Sequence, residues 1–187
     1  KIVKSYLIRQ KPKNVWDLGA NTGEFSRIAA GLGIATISLD SDHSAVNNNY
    51  LQVRQNGETN ILPLLVDLTN PTADLGWAHQ ERKSLERRGP SDLAMALALV
   101  HHLCISKNIL FSMIGSYLAK ICKSLIIEFV PKEDSKVQIL LRNREDIFPW
   151  YNQKTFEGEF SKYFRILKRN SVGNGSLRIL YLMERKR

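Results

Sequence analysis

The chain has 187 residues, of which 43% are apolar and 9% aromatic, so it has the size and composition of one folded domain and is not a disordered chain. No apolar run reaches the roughly 18 residues of a membrane-spanning helix, and no membrane partner is expected. The formal net charge of +9 fits either cations spread over solvated surfaces or a binding surface for a nucleic acid.

Apolar segments with the periods of strands and helices alternate along the chain. Short apolar runs predict strands at residues 15–18, 35–39, 61–66, 93–99 and 124–130. Helical spacing predicts helices at residues 24–32, 44–56 and 108–122. Near the end, residues 165–168 and 177–183 alternate around the turn-forming stretch "NSVGNGS" and predict a closing antiparallel hairpin.

Strands that carry continuous apolar runs and alternate with helices are typical of a parallel sheet covered on both faces. The sequence therefore predicts an α/β, Rossmann-like, three-layer fold with a mostly parallel sheet and a C-terminal antiparallel hairpin. No repeat or linker interrupts this pattern, so residues 1–187 are expected to form a single domain.

Three of the predicted strands end at or beside an aspartate: Asp17, Asp40 and Asp67. Any one of them could be an ordinary turn or helix-capping residue. In open α/β sheets, however, ligands bind outside the carboxyl ends of the strands, where these acids would meet. Together with a glycine-rich turn after the first strand, the three aspartates favour a ligand site over three separate caps.

The turn "DLGANTGEF" allows the backbone to approach a ligand closely, because Gly19 and Gly23 lack the Cβ that would obstruct it. The turn does not match G-x-G-x-x-G, the fingerprint of a pyrophosphate site. Asp17 also places a negative charge beside it, which suits a ligand with a cationic end better than a phosphate.

The second and third acids fit the other end of such a ligand. Asp40 stands 23 residues after Asp17 in the sequence. This is about the sequence separation at which a carboxylate reaches a ribose in nucleotide-binding βαβ units. Asp67 could accept from an exocyclic adenine amine, with the Leu68 N–H available to a ring nitrogen. Adenosine at one end and an amino acid with a sulfonium at the other describe S-adenosylmethionine.

The stretches "VWDLGANTGEFS", "ISLDSD" and "LLVDLTNP" resemble, in that order, the cofactor-binding motifs of class I S-adenosylmethionine-dependent methyltransferases. The resemblance extends over nearly the whole chain and implies a seven-stranded sheet with one reversed strand. It implies S-adenosyl-L-methionine as the cofactor. The residues that would bind it are Asp17, Gly19, Ala20, Asn21 and Gly23 at the methionine side, Asp40 at the ribose, and Asp67 and Leu68 at the adenine, with Ser41 and Leu99 as further contacts.

A narrower resemblance is carried by "LALVHHL", "LIIEFVPKEDSKVQ" and "REDIFPWYNQKTFEGEF", which are similar to a bacterial methyltransferase group that includes nodulation-type host-specificity proteins. In that group the domain commonly follows other sequence, and a first residue other than Met fits a domain excised from a longer chain. The two cysteines, Cys104 and Cys122, indicate no disulfide framework, so a reducing cytoplasm is expected.

Because the methyl group of this cofactor is already activated, the protein mainly aligns the acceptor and, where needed, removes a proton. The candidates at the ends of strands four and five are His101, His102 and Glu128. Histidine suits proton removal near neutral pH, and His102 is the favoured base; alternatively, both histidines only link strand to loop. Glu128 could be the base, a hydrogen-bond partner of the acceptor or the cap of the next helix. No third ligand stands at a useful spacing from the histidines, so no metal site is predicted.

The connection at residues 68–90 is long enough to form a lid over the acceptor. Trp77 could stack on a ring, and Arg82, Arg87 or Arg88 could bind an acidic or phosphorylated group. Trp150 is a further candidate for the pocket wall. The alternative for residues 68–90 is an ordinary crossover helix with a solvated face.

We expect a methyltransferase that acts on oxygen or carbon of a small-molecule or saccharide-like acceptor. The reason is that "LVHHL" stands where amino-group methyltransferases usually carry an Asn/Asp-Pro-Pro-aromatic segment. The first alternative is an RNA methyltransferase that uses the basic surface, which makes nucleic acid a less favoured partner. The second is an S-adenosylmethionine-binding module without catalysis in a larger protein. The sequence predicts no oligomeric state.

Overall fold

The computed structural model describes residues 1–142, 144–173 and 175–186, in which strands and helices alternate as expected. The strands are β1 (Asn14–Leu18), β2 (Ala35–Asp40), β3 (Ile61–Leu65), β4 (Ser91–Ala96), β5 (Cys122–Phe129), β6 (Phe164–Ser171) and β7 (Ile179–Arg185). The helices are α1 (Ile2–Gln10), α2 (Glu24–Ala30), α3 (His43–Asn56), α4 (Leu85–Arg88), α5 (Phe111–Ile121), α6 (Ser135–Leu141) and α7 (Gln153–Phe160). No helix in these ranges is long and apolar enough to cross a membrane.

The seven strands form one sheet in the order β3-β2-β1-β4-β5-β7-β6. Its first five strands run parallel, whereas β7 pairs antiparallel with both β5 and β6. The connections change direction between β1 and β4, and a ligand crevice is expected at the carboxyl ends of these two strands. The mostly parallel α/β sheet with a C-terminal antiparallel hairpin is therefore confirmed.

Helices cover both faces of the sheet, and each face has its own apolar cluster. On one face, Leu7 of α1 and Ala29 of α2 belong to a buried cluster with residues of β1 and β4. On the other, Phe111 of α5, Phe129 of β5 and Phe156 of α7 pack together, with ring centroids 5.2–6.4 Å apart. Burial of one such aromatic side chain contributes about 1.5–3 kcal/mol, so these clusters hold the strands and their ends in fixed positions.

The strand β3 forms one edge of the sheet and β6 the other. Pro63 stands in the middle of β3, in register with Ser38 of β2. The connection from β3 to β4 contains only the 3-10 turn Trp77–His79 and the four-residue α4. The ordinary crossover helix considered for this connection is therefore wrong. Gly76, with φ 87°, and a bridge between Leu75 and Arg82 fold the segment back on itself instead.

Two element boundaries differ from the prediction for local backbone reasons. The strand β4 ends at Ala96 although the apolar run continues to Leu99, because Ala98 has φ 48° and cannot continue a strand. The helix α5 begins at Phe111 and not at Asn108, whose φ of 57° is left-handed. Apolar content predicted both segments, whereas these single backbone conformations decide where they begin and end.

Candidate functional site

The glycine-rich turn between β1 and α2 bends through three residues with positive φ: Gly19 (73°), Asn21 (49°) and Gly23 (81°). The N–H groups of Gly19 and Ala20 both donate to the Leu39 carbonyl of β2, at 2.8 and 3.0 Å. These bonds fix the turn against the end of the neighbouring strand, at the crevice between β1 and β4.

Close neighbours as well as the backbone conformation require glycine in this turn. A Cβ at Gly23 would lie 2.5 Å from the Asn49 side chain, and one at Gly19 would lie 3.0 Å from Cδ1 of Leu99. Positive φ is also unfavourable for residues that have a Cβ, so the turn requires glycine at both Gly19 and Gly23.

Asp17 lies behind the turn and is 1% exposed. Its Oδ2 accepts from the Ser26 hydroxyl at 2.6 Å, and Ser26 contacts Ser38, which accepts from Asn49 Nδ2 at 2.8 Å. Burial raises the pKa of Asp17 to about 6, with the Ser26 hydrogen bond opposing the rise and the nearby Asp40 carboxylate adding to it. At neutral pH the turn therefore stands over a buried negative charge.

Asp40, at the end of β2, links the turn to the start of α3. Its Oδ2 accepts from the Asn21 N–H at 2.7 Å, and its Oδ1 accepts from the Asp42 N–H at 2.9 Å. Asp42 in turn caps α3 by accepting from the Ser44 N–H at 2.8 Å. A carboxylate has about four acceptor positions, so Asp40 keeps two for the hydroxyl groups of a ligand.

Asp67 follows β3 and points one oxygen back at its own loop. Its Oδ1 accepts from both the N–H and the hydroxyl of Thr69, at 2.8 and 2.7 Å. The hydrogen bonds from Thr69 hold the pKa of Asp67 below its usual range. Its Oδ2 makes no hydrogen bond to the described residues and can accept from a ligand.

These residues line one cavity of about 500 Å³, here called the strand-end cavity, at the carboxyl ends of β1 to β4. Seven of the ten predicted cofactor residues line it together with His102: Gly19, Asn21, Asp40, Ser41, Asp67, Leu68 and Leu99. The other three, Asp17, Ala20 and Gly23, lie in or behind the turn.

Eight further lining residues were not singled out in the sequence: Asp42, Val66, Thr69, Leu97, Ala98, Leu103, Ser106 and Lys107. Asp42 and Thr69 each stand two residues after a predicted acid and lie within the stretches "ISLDSD" and "LLVDLTNP", so the motifs contained them although no role was assigned to them. Ser106 and Lys107 belong to or follow the π-helical turn His102–Ser106, an irregular backbone that no period in the sequence predicts.

The rings of His101 and His102 lie 4.3 Å apart but have different surroundings. His101 is 2% exposed, and burial, followed by the charges of His102 and Arg178, lowers its pKa to about 3. It stays neutral and accepts a proton poorly. His102 lines the strand-end cavity, where partial burial lowers its pKa and the Asp40 carboxylate opposes that change. Between the two histidines, His102 is therefore placed to accept a proton in the cavity.

Glu128 is the penultimate residue of β5 and is 6% exposed. Its Oε2 accepts from the Ala98 N–H at 2.7 Å, and its Oε1 lies 3.7 Å from Nη1 of Arg178. Burial raises its pKa, and the Ala98 N–H opposes the rise. The cap of α6 is Asp134, which accepts from the Lys136 N–H, so the helix-capping role considered for Glu128 is wrong.

The connection at residues 68–90 reaches the strand-end cavity only at its start, with Leu68 and Thr69. Trp77 is 86% exposed at the 3-10 turn. Arg87 forms an ion pair with Asp74 at 3.2 Å, and Arg88 donates to the Lys83 carbonyl at 3.0 Å. None of these side chains is among the described lining residues of the cavity, and the same holds for Arg82.

Trp150 also lies outside the strand-end cavity. It is half-buried against the aromatic cluster, with its ring edge-to-face with Phe111 at 5.3 Å and Phe148 at 5.9 Å. The described residues contain no group of three or more His, Cys, Asp or Glu side chains that could hold a metal ion.

Solved methyltransferase structures share this fold. Magnesium protoporphyrin IX methyltransferase (ChlM) from Synechocystis PCC 6803, solved with bound SAH, matches with a TM-score of 0.69 and 16% identity, over 99% of this chain and 81% of ChlM. The bifunctional kinase-methyltransferase WbdD matches with a TM-score of 0.62 and 20% identity, over 97% of this chain and 37% of WbdD. The chain thus has the class I methyltransferase fold, as its motifs predicted.

The sequence comparison is consistent with the narrower resemblance. The chain is 36% identical over 184 residues to nodulation protein NoeA of Rhizobium meliloti (strain 1021). The match covers 98% of the chain, and the chain spans 38% of the length of NoeA. No family model matches the sequence. The predicted similarity to nodulation-type proteins is therefore confirmed.

Proposed function

We propose that the chain is an S-adenosylmethionine-dependent methyltransferase. The observation that carries the proposal is that the glycine turn, Asp40 and Asp67 line one cavity at the switch point of the sheet. Their order along the cavity matches the methionine, ribose and adenine parts of the cofactor. The likeness to ChlM, which was solved with bound SAH, supports the same assignment.

The cavity residues fit this cofactor on three counts. Gly19 leaves a cradle beneath Leu99 that a Cβ would fill. Asp40 keeps two acceptor positions for ribose hydroxyls after binding Asn21 and Asp42. Asp67 keeps Oδ2 for the adenine amine, and Leu68 stands beside it in the cavity wall.

The cofactor, when bound, supplies an activated methyl group on a sulfonium. The protein then has to align an acceptor in line with that group, exclude water and take a proton from the acceptor. We assign the proton transfer to His102, because it lines the strand-end cavity with a lowered pKa and is neutral at neutral pH. Asp17 supplies a buried negative charge behind the methionine end.

The acceptor is proposed to be a small molecule or saccharide-like compound that is methylated on oxygen or carbon. The support is a neutral histidine, His102, in the turn that follows β4, in place of the segment that holds a planar amine. Trp77, Arg82, Arg87, Arg88 and Trp150 stay predicted acceptor contacts.

An RNA acceptor is less well supported by the distribution of charge. A concavity of about 1050 Å³ is lined by six cations and two acids, Lys11, Lys13, Lys123, Arg165, Arg185 and Lys186 with Asp92 and Glu184. It lies at the amino-terminal ends of the parallel strands, whereas the strand-end cavity lies at their carboxyl ends. An RNA held there would not present a base to the proposed methyl donor.

Two free, buried cysteines agree with the expected cytoplasmic location.

Calorimetric titration with S-adenosylhomocysteine tests the proposal. We expect binding in the micromolar-to-millimolar range, and a large loss of affinity in Asp40→Ala. Glu184→Gln is the control and should bind like the unmodified chain, because Glu184 lines the concavity at the amino-terminal ends of the parallel strands, away from the strand-end cavity. No binding in this range would refute the proposal.

Transfer of a labelled methyl group into extract fractions then identifies the acceptor class. Label in saccharide or small-molecule fractions is the expected result. Label confined to RNA would favour the first alternative. Binding without transfer to any fraction would favour a cofactor-binding module.

A further inference from the structure

Ala98 is the unusual residue of the loop that follows β4. Its φ of 48° lies in the left-handed region, which is unfavourable for a residue that has a Cβ. It nevertheless lines the strand-end cavity between Leu97 and Leu99. A strained residue in a cavity wall needs a local contact that holds it in place.

Glu128 provides that contact from the neighbouring strand. Its Oε2 accepts from the Ala98 N–H at 2.7 Å, a charge-assisted hydrogen bond made by a carboxylate that is 6% exposed. Glu128 is not among the described lining residues of the strand-end cavity, so it reaches that cavity through the Ala98 peptide.

The Ala98 peptide determines the position of two cavity features. The next residue, Leu99, packs against Gly19 of the glycine turn. The Leu99 carbonyl also accepts from the N–H groups of His102 and Leu103, at 3.0 and 3.2 Å, where the π-helical turn starts. A rotation at Ala98 would displace both the wall over Gly19 and the ring of His102.

Arg178, which precedes β7, holds the Glu128 carboxylate from the other side. Its Nη1 lies 3.7 Å from Glu128 Oε1, while its Nε and Nη2 donate to the two oxygens of Asp134 at 2.7 and 2.9 Å. The bidentate bond fixes the guanidinium, because both groups are planar and interlock. Its positive charge compensates the buried charge of Glu128.

We propose that Glu128 is a positioning residue, which holds Ala98 in its left-handed conformation and thereby places Leu99 against Gly19 and His102 in the strand-end cavity. Arg178, anchored on Asp134, keeps the Glu128 carboxylate in position. The inference rests on the proposed function for its binding test. It assigns to Glu128 a role different from proton transfer to or from the acceptor.

Two substitutions at one position separate the roles. Glu128→Gln keeps an oxygen for the Ala98 N–H, whereas Glu128→Met has a similar length and no such acceptor. For a positioning residue we expect S-adenosylhomocysteine affinity to fall about tenfold in Glu128→Met, the value of one good hydrogen bond, and less than threefold in Glu128→Gln. A catalytic base would give the opposite pattern, with unchanged affinity and equal loss of turnover in both variants.

A second substitution tests the strain itself. Glycine adopts positive φ readily, so adding Ala98→Gly to Glu128→Met should restore most of the affinity lost in Glu128→Met, with Ala98→Gly alone measured as the reference. Glu184→Met is the matched control, because Glu184 also pairs with an arginine but lies at the far end of the sheet. Unchanged affinity in Glu128→Met, or no restoration by Ala98→Gly, would overturn the proposal.

A measurement without cofactor keeps the test independent. The Ala98 amide proton, followed by NMR, should exchange slowly in the unmodified chain and in Glu128→Gln. Rapid exchange in the unmodified chain would contradict the hydrogen bond even if Glu128→Met fails to fold. If the unmodified chain binds no S-adenosylhomocysteine, the proposed function fails, and the amide measurement still tests the hydrogen bond between Ala98 and Glu128.

Discussion

Asp17→Asn removes a buried charge, and its effect on stability follows from the shifted pKa. The pKa of Asp17 is about 6 in the folded protein, against an ordinary value of 3.8. Each unit of difference corresponds to about 1.36 kcal/mol, so the ionised carboxylate lowers the free energy of unfolding by ~3 kcal/mol at pH values above the folded pKa.

The sign of the pH dependence is fixed by which state holds the proton more tightly. The folded chain does so here, and the free energy of unfolding therefore falls as the pH rises from about 4 to about 6. Asparagine does not titrate. We therefore expect Asp17→Asn to match the unmodified chain near pH 4 and to be more stable above pH 6, with ~3 kcal/mol as the ceiling, because the new amide must also find an acceptor.

Urea unfolding at several pH values between 4 and 8 measures this difference. Asp146→Asn is the control. Asp146 is an exposed carboxylate that pairs with Lys132, and this pairing lowers the pKa of Asp146. Its replacement should therefore not raise the free energy of unfolding at any pH. A stability difference for Asp17→Asn that does not change with pH, or a loss of stability at pH 8, would refute the reasoning. The buried charge of Asp17 is proposed to lie behind the methionine end of the cofactor. Asp17→Asn should therefore lose more affinity for S-adenosylmethionine, which carries a sulfonium, than for S-adenosylhomocysteine, whose sulfur is uncharged.

Gly23→Ala should destabilise the chain more than Gly33→Ala in thermal or urea unfolding, because both have positive φ but only Gly23 would place a Cβ 2.5 Å from Asn49. Equal losses would show that the contact with Asn49 relaxes freely. His102→Gln should leave S-adenosylhomocysteine affinity within about threefold and lower turnover by about 10²–10⁴, measured with the acceptor once it is known; unchanged turnover would remove His102 as the base. Trp77→Ala should change the free energy of unfolding by less than about 0.5 kcal/mol, since the side chain is 86% exposed, and should raise the KM for the acceptor. An unchanged KM would show that Trp77 does not contact the acceptor.

The strand ends could be predicted from the sequence because two local rules act together there. Continuous apolar runs marked the strands, and a polar residue at the end of each run marked the edge at which parallel strands expose their ligands. Asp40 and Asp67 therefore reached the same cavity in the structure as in the prediction. The first helix was missed although Val3, Tyr6 and Leu7 have helical spacing, because basic residues dilute its apolar face.

The remaining parts of the site depend on contacts between distant residues. The hydrogen bond from the Ala98 N–H joins residues 30 positions apart and carries no local signal. The left-handed backbone at Ala98 ends β4 inside an apolar run that otherwise predicts a longer strand. Burial decided the case of Asp17, which the motif placed beside the ligand and the fold placed behind the turn.

Pro63 affects how the sheet ends at β3. The Val66 N–H donates to the Asp40 carbonyl and the Asn60 carbonyl accepts from Thr36, so the even-numbered residues of β3 direct their backbone groups at β2. Odd-numbered positions direct theirs outward, and Pro63 has no N–H to offer there. An incoming strand would meet a missing donor in the middle of the exposed edge. The Leu62 and Leu64 side chains of β3 are 53% and 38% exposed, and Pro63 thus protects this strand against edge-to-edge association.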